Sequence, residues 1–120
     1  NMMTNNEIIT DREKILEAVK RDGYALEYAD VTLKADREVV LEAVKNNSEA
    51  LQFADESLWA DREFVLEAVK NDGYNLVYAD DTLKADREVV LEAVKSWGTA
   101  IFDASEELQN DPELKKIAEG

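Results

Sequence analysis

The 120-residue chain contains neither cysteine nor histidine. Those two absences remove disulfides, thiolate nucleophiles, the usual zinc ligands and the commonest general base together. No apolar run approaches the length of a membrane span, and the opening residues, NMMTNN, lack the basic and apolar stretches of a targeting segment. A soluble chain without an address is expected, with residues 1–10 a tail and Asn1, ahead of Met2 and Met3, an expression remnant. Basic residues are scarce too: 14 Lys and Arg stand against 28 Asp and Glu, a net charge of -14. Such a balance disfavours nucleic acid and anionic membranes as direct partners. It could attract a basic protein surface, or simply keep a repeat protein soluble and monomeric.

What is present is a repeat with a period of 25. Asp11, Asp36, Asp61, Asp86 and Asp111 each open a unit, and the first four continue as DREKILEAVK, DREVVLEAVK, DREFVLEAVK and DREVVLEAVK. Units one and three agree at 19 of 25 positions, more than either agrees with its neighbour, which points to an older double unit. The opening segment reads as a helix with Asp as N-cap and Gly23, Ser48, Gly73 or Gly98 after its end, the glycines as left-handed stop residues. Long helices are predicted over 12–22, 36–47, 61–72, 86–97 and 112–119. A shorter helix over Tyr24–Ala29 and its equivalents follows, then a single turn capped by Asp30, Asp55 or Asp80 and ending on Leu33, Leu58 or Leu83. A hairpin of this size cannot bury its apolar side alone, so the units must stack. The predicted fold is an all-α tandem helical-hairpin repeat, an α-solenoid of four units (11–35, 36–60, 61–85, 86–110) with a capping helix at 111–120.

The two ends carry their own signature. The fourth helical position is Val39, Phe64 and Val89 inside the array but Lys14 in unit one, where no unit precedes it. DPELKKIAEG keeps Leu114 yet places Lys115, Lys116 and Glu119 at otherwise apolar positions. A backward-facing set (Leu114, Ile117, Ala118) and a polar forward face are therefore expected on this last helix. Leu16, Leu41, Leu66, Leu91, Val44, Val69 and Leu58 are predicted core, and Tyr28, Phe53 and Tyr78, which share one position, are expected in the core as well.

DREVVLEAVK followed by Gly-Tyr-Ala-Leu-x-Tyr-Ala-Asp resembles the repeat of the domain of unknown function 4116, over residues 11–110. The resemblance implies tandem helical units of twice the present period, found in bacterial proteins that include secreted effectors. It implies an interaction role and supplies no catalytic residues. Unit four departs from the pattern after Lys95, with SWGTAIFDASEELQN.

Residues that recur in every unit are explained by folding, since a catalytic centre occurs once and a stacking contact at every interface. That reasoning assigns Glu13/Glu17 and their equivalents to a solvated face offset by Lys20, Lys45, Lys70 and Lys95. Arg12, Arg37, Arg62 and Arg87 read as a ladder to neighbouring carboxylates rather than an anion site. No calcium loop is present, and no metal, cofactor or catalytic residue is predicted. Function is sought where the units differ. Trp59 stands where other units carry Lys34, Lys84 and Gln109, and Trp97 where they carry Asp22, Asn47 and Asp72. Exposed Trp is a common interface anchor, although either ring could instead cover a gap beside Phe64 or Phe102. Tyr24 and Tyr74, at a position that is Glu49 and Thr99 elsewhere, are weaker candidates. The expected function is a non-catalytic scaffold binding a protein or peptide. The alternative is an acidic inhibitor or mimic occupying the basic groove of a nucleic-acid-binding protein.

Overall fold

The computed structural model describes residues 8–120. Residues 1–7, most of the expected tail, lie outside the described residues. Among those described the chain is an all-α tandem repeat without strands. Five ten- or seven-residue helices recur at the expected period: α1 (Arg12–Arg21), α3 (Arg37–Asn46), α4 (Arg62–Asn71), α6 (Arg87–Ser96) and α8 (Pro112–Ala118). Each begins on the repeated aspartate. The Asp11 carboxylate accepts from the N–H groups of Glu13 and Lys14, Asp36 from Val39, and Asp111 from Leu114, with Pro112 in the first turn where its missing N–H has no intrahelical role.

Between the long helices run four 3-10 arms, Gly23–Tyr28, Ser48–Phe53, Gly73–Tyr78 and Gly98–Asp103. Each is followed by a single turn: α2 (Val31–Lys34), the 3-10 turn Glu56–Ala60, α5 (Asp81–Lys84) and α7 (Glu106–Gln109). The turns are capped as expected by Asp30, Asp55 and Asp80, while Ser105 serves α7.

The chain divides into two compact units, one through Leu58 and one from Trp59. In the first, α1 packs along α3 and the arm Gly23–Tyr28 lies on both α3 and the next arm. In the second, α4 packs along α6, α6 along α8, and successive arms again lie on one another. Ahead of Asp11, Ile9 takes the place that Lys34 and Lys84 hold at the ends of other repeats. Its carbonyl accepts from Asp30 N–H at 2.8 Å, as Lys34 accepts from Asp55 and Lys84 from Ser105.

Two details of the repeat differ from expectation. The glycines do not end the helices in a left-handed conformation, since Gly120 is the only described glycine with positive φ. The helices end instead on Asp22, Asn47, Asp72 and Trp97, whose extended backbone (φ -151 to -158) turns directly into the arm. Glycine follows because the next repeat is too close. A Cβ on Gly23 would lie 2.5 Å from the Ala43 carbonyl oxygen, one on Gly73 2.3 Å from that of Ala93, and one on Gly98 2.3 Å from that of Ala118. Gly23 N–H donates to Asn46 Oδ1 at 2.7 Å and Gly73 N–H to Ser96 Oγ at 2.9 Å, so this approach is also hydrogen-bonded.

The core is shifted by one residue from the predicted leucines. Ile15, Val40, Val65 and Val90 are fully buried, whereas the adjacent Leu16, Leu41, Leu66 and Leu91 are half-buried. At 100° per residue the buried arc takes in Val39 with Val40, Phe64 with Val65 and Val89 with Val90, and the leucine one step further on falls at its edge. Val44, Val69 and Leu58 are core as predicted, and so are Leu26 and Leu76 from the arms. Lys14 is exposed where Val39, Phe64 and Val89 are fully buried. On α8, Leu114 is buried, Ile117 and Ala118 are half-buried, and Lys115, Lys116 and Glu119 are exposed.

Candidate interaction surface

The charged ladder is a structural device. Arg12 Nε donates to Asp36 Oδ2 at 2.7 Å, and its Nη2 reaches Glu38 Oε1 at 2.6 Å. Arg62 repeats this with Asp86 and Glu88, and Arg87 with Asp111 and Glu113. One guanidinium thus clamps both the cap and the first-turn glutamate of the following helix, a geometry its planar fork suits. The first-turn glutamates Glu38, Glu88 and Glu113 are therefore not merely solvated, as the sequence suggested. The later glutamates Glu42, Glu67 and Glu92 lie 3.4–3.9 Å from Lys45, Lys70 and Lys95. Among the described residues no group of three or more Asp or Glu is placed to hold a metal ion, and no helix is long and apolar enough to cross a membrane.

These contacts set the acid response. Arg12 and Arg62 hold the carboxyls of Asp36 and Asp86 below the ordinary value of 3.8. The Thr32 and Thr82 hydroxyls do the same for Asp30 and Asp80. A carboxyl lowered by folding stabilises the native state above its unfolded value, and that stability is lost as pH falls through the lower folded value. Thermal stability is expected to fall as pH drops below about 4, and Asp36→Asn, which keeps a capping oxygen, should reduce that fall. The Asn variant should cost no more than about 1 kcal/mol at pH 7, because Arg12 is solvent-exposed.

The departures from the repeat form a different kind of feature. In the second unit, Trp59, Tyr78, Tyr74 and Trp97 make a continuous aromatic row. Ring centroids are 5.2 Å apart for Trp59 and Tyr78, 6.0 Å for Tyr78 and Tyr74, and 5.7 Å for Tyr74 and Trp97. The structure therefore joins the two tryptophans that sequence left unconnected. Tyr78, expected in the core with Tyr28 and Phe53, is 47 % exposed, while those two are half-buried. Tyr74 is 47 % and Trp97 39 % exposed. Trp59 is half-buried, its ring edge-on to Phe64 at 5.2 Å. Trp59 thus fills the gap beside Phe64 and supports one end of the row, while Tyr78, Tyr74 and Trp97 present it.

Trp97 occupies a position with a structural duty. Asp22, Asn47 and Asp72 each accept a hydrogen bond from the N–H two residues on, capping the arm that follows. Trp97 begins the fourth arm with no side-chain cap bond. A cap of this type contributes about 0.5–2 kcal/mol, so the indole stands where the fold prefers a short polar side chain. Acrylamide is expected to quench Trp97 strongly and Trp59 weakly, measured on Trp59→Phe and Trp97→Phe variants. Equal protection of both indoles would remove the surface.

Tyr24, the remaining candidate, lies in the first unit. It is 38 % exposed, packs edge-on against Phe53 at 6.2 Å, and its hydroxyl donates to the Glu49 carboxylate. The corresponding partner of Tyr74 is Thr99, which offers no carboxylate. Sequence reasoning also passed over Phe102, 72 % exposed beside a groove of about 220 Å³ lined in part by Ile101, Gln109 and Ala118. The signal was available, for its position carries Glu27 and Gln52 in the first two units.

Fold and surface together define a tandem helical-repeat protein with an aromatic face on its second unit. The chain belongs to the family of the domain of unknown function DUF4116, whose model matches residues 11–59, 61–109 and 86–118. The first two matches each span two 25-residue repeats, as the likeness of units one and three suggested. Comparison with the curated proteins and with the solved structures gives no match to either.

Proposed function

We propose that this chain is a non-catalytic helical-repeat scaffold that binds another protein through the aromatic row of its second unit, with Trp97 and Tyr74 as the central contacts. The observation that carries this reading is Trp97, an exposed indole at a position where three sister repeats keep a capping side chain. Replacing a stabilising local group by a large exposed ring is expected of a surface selected for contact. The recurring carboxylates, by contrast, are absorbed by caps and by the arginine ladder.

The test is affinity capture from the source cell with the wild-type chain, Trp97→Asp and Tyr74→Thr, followed by reconstitution of the captured pair from purified components. A partner bound by the wild type and lost with both variants, each still folded at the temperature of the assay, supports the reading. A reconstituted pair indifferent to both substitutions would refute it. The -14 charge supports the second reading, an acidic mimic of a nucleic acid. In that case affinity would collapse with salt, ignore Tyr74→Thr and be unchanged or strengthened by the added charge of Trp97→Asp.

A further inference from the structure

We infer that the partner segment read by this row is basic, presenting arginine or lysine side chains to the rings of Trp97, Tyr74 and Tyr78. This rests on the interaction reading above and narrows its chemistry. The second unit holds fifteen Asp and Glu against seven Lys and Arg, a net charge of -8. Most of its cations are already engaged: Arg62 and Arg87 in the ladder, Lys70 and Lys95 by the glutamate three residues earlier. A carboxylate lies beside the row: Asp72 caps the arm that carries Tyr74 and Tyr78, acts electrostatically on Tyr78 and forms no ion pair among the described residues.

The rings are also disposed to receive a cation. Tyr74 and Tyr78 meet at 81° and Tyr74 and Trp97 at 56°, so the exposed rings do not lie flat against one another. An aromatic face carries negative potential, which attracts an ammonium or guanidinium and adds to the field of nearby carboxylates. A purely apolar segment would bury the same rings but desolvate Asp72 without a counter-charge, and an acidic one would meet like charge. The first unit provides an internal contrast. It has the same fold and an acidic balance, but Asn47 replaces the second indole and the Tyr24 hydroxyl is occupied by Glu49.

Three peptides of equal length decide the matter, one with evenly spaced arginines, one with leucine and one with glutamate at those positions. Each is titrated by tryptophan fluorescence and calorimetry, at physiological salt, into the wild-type chain, Trp97→Asp and Tyr74→Thr. The arginine peptide is expected to bind the wild type and to lose about tenfold or more in affinity with either variant. Trp97→Asp adds a negative charge, so a general electrostatic attraction would strengthen where the proposed contact weakens. Equal binding of the arginine peptide to all three proteins would overturn the site. Binding of the leucine peptide in preference to arginine would overturn the basic partner while leaving the aromatic surface standing. Failure of the arginine peptide to bind at millimolar concentration would also overturn the inference, and the reconstituted partner would then judge the broader reading separately.

Discussion

Phe64→Ala is expected to destabilise the chain by about 3–5 kcal/mol, the range for truncating a fully buried aromatic side chain. Phe64 has no solvent exposure and carries the edge-on contact to Trp59. Its removal therefore loses transfer free energy, opens a cavity and leaves Trp59 without its support. Leu66→Ala, two residues along the same helix, is expected to cost less because that leucine is half-buried. Chemical denaturation of the two variants checks both statements. A loss for Leu66→Ala equal to that for Phe64→Ala would mean that the core is not placed on the Phe64–Val65 side of the helix.

Gly73→Ala is the second large effect. The added methyl would stand 2.3 Å from the Ala93 carbonyl oxygen and 3.0 Å from Trp97 Cβ, and a backbone oxygen in a helix cannot swing away as a side-chain tip can. The arm must separate from α6, breaking the bond from Gly73 N–H to Ser96. Overpacking of this kind costs about 1–3 kcal/mol and sometimes more. Asparagine separates this account from that of a left-handed stop residue. A left-handed glycine accepts Asn more readily than Ala, whereas at Gly73 the larger side chain is expected to be at least as damaging as alanine. Melting curves of Gly73→Ala and Gly73→Asn decide it, and milder behaviour of Asn would contradict the close-approach explanation.

Much of the fold was legible because the repeat displays each position four times. Asp before each DRE helix announced the cap, and one arginine per unit announced the ladder. The details that escaped are those on which two geometries share one sequence pattern. A six-residue arm is too short to distinguish a 3-10 from an α-helical period. Glycine after a helix suits a left-handed turn and a tight packing contact equally. Two adjacent apolar residues, such as Ile15 and Leu16, do not reveal which of them points inward. Of the surface, Trp97 and Tyr74 were legible as breaks in the pattern. Tyr78 was not, because it obeys the pattern it shares with Tyr28 and Phe53, and only the structure shows its ring exposed between two neighbours. The missing cap could have been read from the sequence: Trp97 replaces a run of Asp, Asn and Asp at a helix-start position.

The central claim is that Trp97 belongs to a surface and not to the core, and the melting temperature of Trp97→Asp tests it most directly. The substitution restores the side-chain cap found in three sister repeats, a gain of about 1 kcal/mol. It forfeits the ring contact with Tyr74, a loss of about 0.5–1.5 kcal/mol, and the burial of the covered part of an indole that is 39 % exposed, a further loss of about 1–2 kcal/mol. The predicted net change is therefore a loss of about 0.5–2.5 kcal/mol, short of the about 3–5 kcal/mol expected for Phe64→Ala. A fall as large as that produced by Phe64→Ala would place Trp97 in the core and contradict the account.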